Sequence, residues 1–483
     1  MRVMTELRKQ MQDRSVEELI DLLCEPDEGL RLSRMVDLSS MPEARLLETV
    51  YARDITVQAK LARRLIAPMV LERIGPAQFL DDGRILRAVD SQGMLPRVSY
   101  LYRQMIEMTE TMGKFASFNG PLRPAKRLLA FGLGGSAIGA LLAREIIQNQ
   151  GYCVPLDIHM SYPETFHGID GDTLVILCSY SGNTEEVLYA FDYAAKRTKN
   201  ILIISRGGKL GRLREEYPFI EIPESDIRAP RESIGYWLTA FWTIVSWLGL
   251  ARREDGAVYS FDVSDVVGVA SQLDQVDDVC AGQIPFGENP AKQYATYFLY
   301  GTCSGEPSSQ TDWQRPREPV VFLDGADRAI GKRLANQFGE SVEHPIILLV
   351  FAEDAHNEIE SVATFMLEDE LYRKEGRRSY ILISSRAYEA PGLSHDESRA
   401  ARRIELTLKT LLKEHNVGFL TVETEGDSSL GRKLCLLKLL DYTRFYASVL
   451  FGTNPLPTIF MDMMKRKAAE SAELTIERYE DWR

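Results

Sequence analysis

Cysteine and histidine are both scarce. The 483-residue chain holds six of each, with no C-x-x-C pair and no cysteine that has a histidine at metal-ligand spacing. This argues against zinc ribbons, CxxC redox centres and a disulfide scaffold, and points to a reducing compartment, the cytoplasm. Basic charge is in deficit: 57 Lys and Arg stand against 70 Asp and Glu, a formal charge of -13 with a pI near 5.2. A general nucleic-acid or anionic-membrane binder is therefore disfavoured, and any anion must be held by local geometry. The first twenty residues carry charges every few positions, so no secretory h-region is expected there. The longest uncharged run, SIGYWLTAFWTIVSWLGLA from Ser233 to Ala251, stands alone and contains Ser, Thr, Tyr and Gly. It reads as a buried helix of a soluble protein, not as a membrane span. No Walker motif, low-complexity tract or short-period repeat is present.

What is present is globular. Hydrophobic residues make up 45% of the chain and charged residues 26%, enough to bury a sizeable core. Residues 1–88 put apolar positions at helical spacing, as in VEELIDLL and AKLARRLIAPMVLERI, and predict an all-helical extension. From about residue 125 short apolar runs alternate with helical patterns. RLLAF, the run from Val154 to His159, TLVILC and NILIIS come first. After a polar stretch at Gly301–Pro319 the pattern restarts with PVVFLDG, IILLVF, SYILIS and GFLTVE. Helices are expected between them, from about Asn357 and around RRIELTLKTLLKE. Strands alternating with helices predict parallel, doubly wound sheets in two successive α/β units, at 89–278 and 279–483. Such sheets bind ligands beyond the carboxyl ends of their strands.

Two turns stand out at those ends. FGLGGSAIG, Phe131 to Gly139, lets backbone N–H groups and the Ser136 hydroxyl approach an anion at a helix start. It also satisfies G-x-G-x-x-A, so a dinucleotide site is an alternative; the second strand does not, however, end on the acidic residue that a ribose needs. SYSGNTEE, Ser179 to Glu186, offers the hydroxyls of Ser181, Ser179 and Thr184 around Gly182. A dense set of neutral donors at a helix start suits a phosphate monoester. A plain capping turn is the bland alternative for either loop alone.

GGSAIG and SYSGNTEE in consecutive turns resemble the sugar isomerase (SIS) domain. PRESIGY, ENPAK, FGESVEHP with FAEDAHNEI, and GTNPLPTIFMDMMK follow in order and resemble motifs of the bifunctional phosphoglucose/phosphomannose isomerase family. The resemblance covers about residues 88–470. It implies two tandem SIS domains of flavodoxin-like type behind the extension, and a metal-independent aldose–ketose isomerase that needs no cofactor and acts on fructose, glucose and mannose 6-phosphates. It further implies that Gly135, Ser136, Ser179, Ser181 and Thr184 hold the phosphate, that Arg231 stabilises an enediolate, and that Glu340 is the base. His356 and Lys465 would open the sugar ring, and Thr458 would leave room for either C2 epimer. The family's histidine comes from the neighbouring subunit, so a homodimer is implied. Three departures are visible. Glu343 stands where the family often has Lys, Ala355 precedes the His in place of Asn, and DYTRFYASVL (Asp441 to Leu450) is bulkier and more charged than the family's D-x-x-S-x-Y-L-A. A sugar-phosphate sensor or an isomerase of another phosphosugar are the alternatives, and a dehydrogenase is a more remote one.

These residue types suit the chemistry. Moving a proton between C1 and C2 of an open-chain sugar needs a carboxylate over the carbon and a cation near the developing oxyanion. Ring opening suits a His, whose charge changes near neutrality, assisted by a desolvated Lys.

Overall fold

The computed structural model describes residues 11–25, 55–119, 122–163, 168–306, 313–351, 378–385 and 418–456, with single positions at 364, 406, 410, 458 and 461. The helices used below are α1 (Val16–Cys24), α2 (Ile55–Asp81), α3 (Leu101–Asn119), α4 (Gly134–Gln148), α5 (Glu185–Ala195), α6 (Ile234–Leu248), α7 (Pro290–Tyr300), α8 (Arg328–Gln337) and α9 (Ser429–Leu450). The helices expected from Asn357 and around RRIELTLKTLLKE lie outside the described residues.

Nine strands form two all-parallel sheets among the described residues. The first has the order β2-β1-β3-β4-β5, from Leu156–His159, Arg127–Gly132, Thr173–Ser179, Ile201–Ser205 and Phe219–Glu221. The second has the order β7-β6-β8-β9, from Ile347–Phe351, Glu318–Asp324, Arg378–Ser384 and Phe419–Glu423. Every residue of β3 and β4 is buried. Strands covered on both faces can be apolar throughout, which is why TLVILC and NILIIS show no alternation. In both sheets the order reverses beside the first strand of the unit, creating a crevice between β1 and β3 and another between β6 and β8. Register places Gly132 opposite Cys178 and Ser179 opposite Ser205, so the glycine and hydroxyl turns leave the sheet side by side.

The uncharged run forms α6, buried from Ile234 to Val245 and packed between α3 and α4. Contact with α4 is close enough to require glycine: a Cβ on Gly139 would lie 2.1 Å from that of Trp237. No helix among the described residues is long and apolar enough to cross a membrane.

At the front of the chain, α1 begins with a reciprocal cap in which the Ser15 hydroxyl and the Glu18 carboxylate satisfy each other's backbone N–H groups. It lays Leu19, Ile20, Leu22 and Leu23 into the core against α2. The longest largely buried helix at the C-terminal side is α9, which packs on α7, α2 and the turn after α8.

Candidate active site

The two sequence-predicted loops meet at the crevice of the first sheet. Ser179 ends β3 almost fully buried, and its Oγ lies 2.7 Å from Thr184 Oγ1 and accepts the Gly182 N–H at 3.0 Å. Ser181, exposed, accepts the Asn183 N–H at 3.2 Å. Gly182 sits at φ 68, and a Cβ there would lie 1.8 Å from the Gly207 carbonyl oxygen. Only glycine fits. The turn after β4 thus supports the loop, with the Lys209 N–H donating to Asn183 Oδ1 at 3.0 Å.

The first loop lies against the PRES segment. Ser136 is buried in the first turn of α4, and a Cβ on Gly135 would come within 2.9 Å of the Pro230 carbonyl oxygen and 3.3 Å of Arg231 Cα. The glycine is what lets Arg231 approach this loop. Arg231 is only 5% exposed and donates through Nη1 to Glu340 Oε2 at 3.0 Å, across 109 residues of sequence. Its Nη2 donates to the carbonyls of Pro455 (2.9 Å) and Leu456. Thr458, half-buried, follows two residues later. The structure therefore brings Gly135 and Ser136 against Arg231 and Glu340, with Ser179, Ser181 and Thr184 in the turn beside them, and Thr458 lies two residues beyond Leu456, whose carbonyl accepts from Arg231. His356 and Lys465 lie outside the described residues.

Glu340 is presented by an unusual turn. After α8 the chain widens into a π-turn at Phe338–Val342, closed by the Glu343 N–H donating to the Phe338 carbonyl at 2.7 Å. Such turns put one residue out of helical step, here leaving the Glu340 side chain a quarter exposed among buried neighbours. Glu343 itself takes a left-handed conformation at φ 60. Its carboxylate lies 3.6 Å from Arg64 Nη1, and Arg64 stacks 4.1 Å over the Phe451 ring. The charge brought by this glutamate in place of a lysine is thus met by a cation from α2, in the helical extension.

The matching crevice of the second sheet is closed by the protein's own groups. Asp327, fully buried beyond β6, accepts the Ser385 N–H at 2.8 Å and Lys433 Nζ at 3.0 Å. Lys433, on α9, also reaches Glu145 of α4 at 3.1 Å, while Glu145 accepts the Ala329 N–H at 2.8 Å. Burial pushes the Glu145 carboxyl up to about 7 from its ordinary 4.5, against the pull of Lys433. Nothing in the local sequence announces this cluster; Lys433 and Glu145 are 288 residues apart.

Residues 313–467 match the model of the bacterial phosphoglucose isomerase C-terminal SIS domain. Over 373 residues the chain is 28% identical to a bifunctional phosphoglucose/phosphomannose isomerase from Caldicellulosiruptor bescii, covering 77% of this chain and 98% of that protein. Over most of its length the chain is similar to these isomerases, and its residues 313–467 match the SIS-domain model. A second such isomerase, from Aquifex aeolicus, is 25% identical over 353 residues, covering 73% and 93% of the two chains. A crystal structure of a hypothetical protein from Thermus thermophilus shares the fold, with a TM-score of 0.54 at 14% identity, over 82% of this chain and 99% of that one. In this chain the first sheet carries the hydroxyl loops, and the second half supplies Glu340.

Proposed function

We propose that the protein interconverts fructose 6-phosphate with glucose 6-phosphate and mannose 6-phosphate through an enediolate. The observation that carries this reading is the Arg231–Glu340 pair lying against Gly135 of the phosphate loop. Backbone N–H groups near Gly135 and the hydroxyls of Ser136, Ser179, Ser181 and Thr184 hold the phosphate at the start of α4 and α5. With that end anchored, the reacting carbons of the open chain fall over Glu340. Its carboxylate takes the proton from C2 of the aldose or C1 of the ketose and returns it to the neighbouring carbon. The Arg231 guanidinium, already directed at this point by two carbonyls, stabilises the negative charge on the enediolate oxygens. Thr458 borders the C2 side, where a small residue leaves both epimers room.

His356 and Lys465 are assigned to ring opening, with His356 supplied by the partner subunit of a homodimer. The six cysteines, all free, suit a cytoplasmic enzyme. The domain limits at residues 88 and 278 follow the same reading.

Purified protein given fructose 6-phosphate in D2O with EDTA is expected to form both aldose phosphates, with deuterium at C2. Absence of both products from folded protein ends the proposal. Co-expressed Glu340→Gln and His356→Ala chains, each inactive alone, are expected to regain activity as a mixed dimer. No recovery would rule out a shared site.

A further inference from the structure

Beside the Arg231–Glu340 pair lies a cavity of about 20 Å³. Its wall includes four guanidiniums, Arg97, Arg231, Arg333 and Arg444, none more than 5% exposed, and two carboxylates, Glu232 and Asp441. Three of the cations have an anionic partner. Glu232 takes Arg97 at 2.8 Å, Asp441 takes Arg333 at 2.7 Å, and Glu340 takes Arg231 at 3.0 Å. Arg444 has none among the described residues. Its Nη1 donates to Ser341 Oγ at 2.9 Å and faces the Met94 sulfur at 3.4 Å. Asp90, the other buried carboxylate nearby, is occupied by the N–H groups of Met94 and Leu95. Burial lowers the Arg444 guanidinium to about 10 against the pull of Asp441 and Glu232, with Arg333 and Arg231 adding to the fall.

The hydrogen-bond account is short in the same place. Arg97 Nη2, Arg333 Nε and Nη1, and Arg444 Nε are buried N–H groups without an acceptor among the described residues. Buried donors are rarely left so, and a buried charge without a counter-charge costs several kcal/mol. A water molecule would answer the first deficit and not the second. Room for about one water-sized particle, an arginine with no ion pair among the described residues and several N–H donors aimed at one place together describe a small monovalent anion. Arg444 is also the charged residue of DYTRFYASVL, at the position where the family pattern has Ser.

We propose that this cavity is a halide site, in which a chloride ion accepts hydrogen bonds from Arg97, Arg333 and Arg444. The ion neutralises Arg444 and braces Ser341, the neighbour of Glu340, so the site supports the turn that carries that carboxylate. The assignment does not depend on the isomerase reading.

The test uses the full-length wild-type protein, crystallised in sodium bromide, with anomalous data at the bromine edge. A peak in the cavity within hydrogen-bond distance of Arg333 and Arg444 is expected. In solution, at constant ionic strength, the unfolding midpoint is expected to be higher in sodium chloride than in sodium gluconate by about 2 °C, because gluconate is too large to enter. R444S is expected to lose that difference. Water alone in the cavity, or a carboxylate of the chain reaching Arg444, overturns the proposal. A bromide peak with no difference between the two salts marks an adventitious ion only and also overturns it. Should R444S fail to fold, the wild-type crystal and melts still decide.

Discussion

The two sheets share one strand order around their crevices, yet only one crevice is left to a ligand. At the first, between β1 and β3, hydroxyls and glycines line an opening beneath Arg231. At the second, between β6 and β8, Lys433, Asp327 and Ser385 already occupy the equivalent place, with Glu145 reaching in from the other half. The fold offers a crevice at a strand-order reversal twice. Side chains decide which one accepts a guest and which one is used to bind the halves together.

The contrast can be broken at either end. The largest effect is expected from Glu340→Gln, which removes the carboxylate over the open crevice and leaves its loops intact. Turnover should fall by about 10²–10⁴-fold with little change in KM, measured by aldose phosphate formation; near-normal turnover would displace Glu340 as the base. Next comes Lys433→Met at the filled crevice, which strands Asp327 and Glu145 without their cation. Denaturant unfolding should show a loss of about 3–5 kcal/mol, and an unchanged midpoint would mean that the cluster does not hold the halves.

Ser179→Ala should act on binding alone, raising KM for fructose 6-phosphate about 10-fold through the loss of one hydrogen bond to a charged group. An equal fall in kcat with KM unmoved would place Ser179 elsewhere in the mechanism.

The smallest and most diagnostic effect concerns pH. Glu145 holds its proton in the folded protein up to about 7, against an ordinary 4.5. Between those values the folded state binds more protons than the unfolded chain, so stability falls as pH rises through this window and levels off above it. Glu145→Gln should flatten that slope. Parallel stability curves for the two proteins between pH 5 and 8 would refute the buried-carboxyl account.

Much of the fold was legible because burial on both faces leaves its mark on a strand. TLVILCS, NILIIS and RLLAF could hardly be anything but central strands, and the Ser233–Ala251 run became the helix expected of it. The three-residue β5, Phe219–Glu221, was not foreseen, since so short a strand has no period to read. The two loops were legible for a chemical reason: glycine and hydroxyl residues crowd together where backbone must come close to an anion. Arg231 was legible only by resemblance, because alone it reads as a surface charge, and the structure buries it. The filled crevice and the arginine cavity escaped notice because their members are scattered across the sequence. Charge pairing in three dimensions leaves no periodic trace.

Helix α4 carries Gly135 and Ser136 in its first turn, beneath the proposed phosphate, and Glu145 in its last, in the seam with the other half. A single stiff rod, about four turns long, spans both places. Opening the halves like a clamshell would have to tear that rod from its salt-bridged socket. Access for a sugar phosphate at the proposed site is therefore expected through movements of loops around a solid frame.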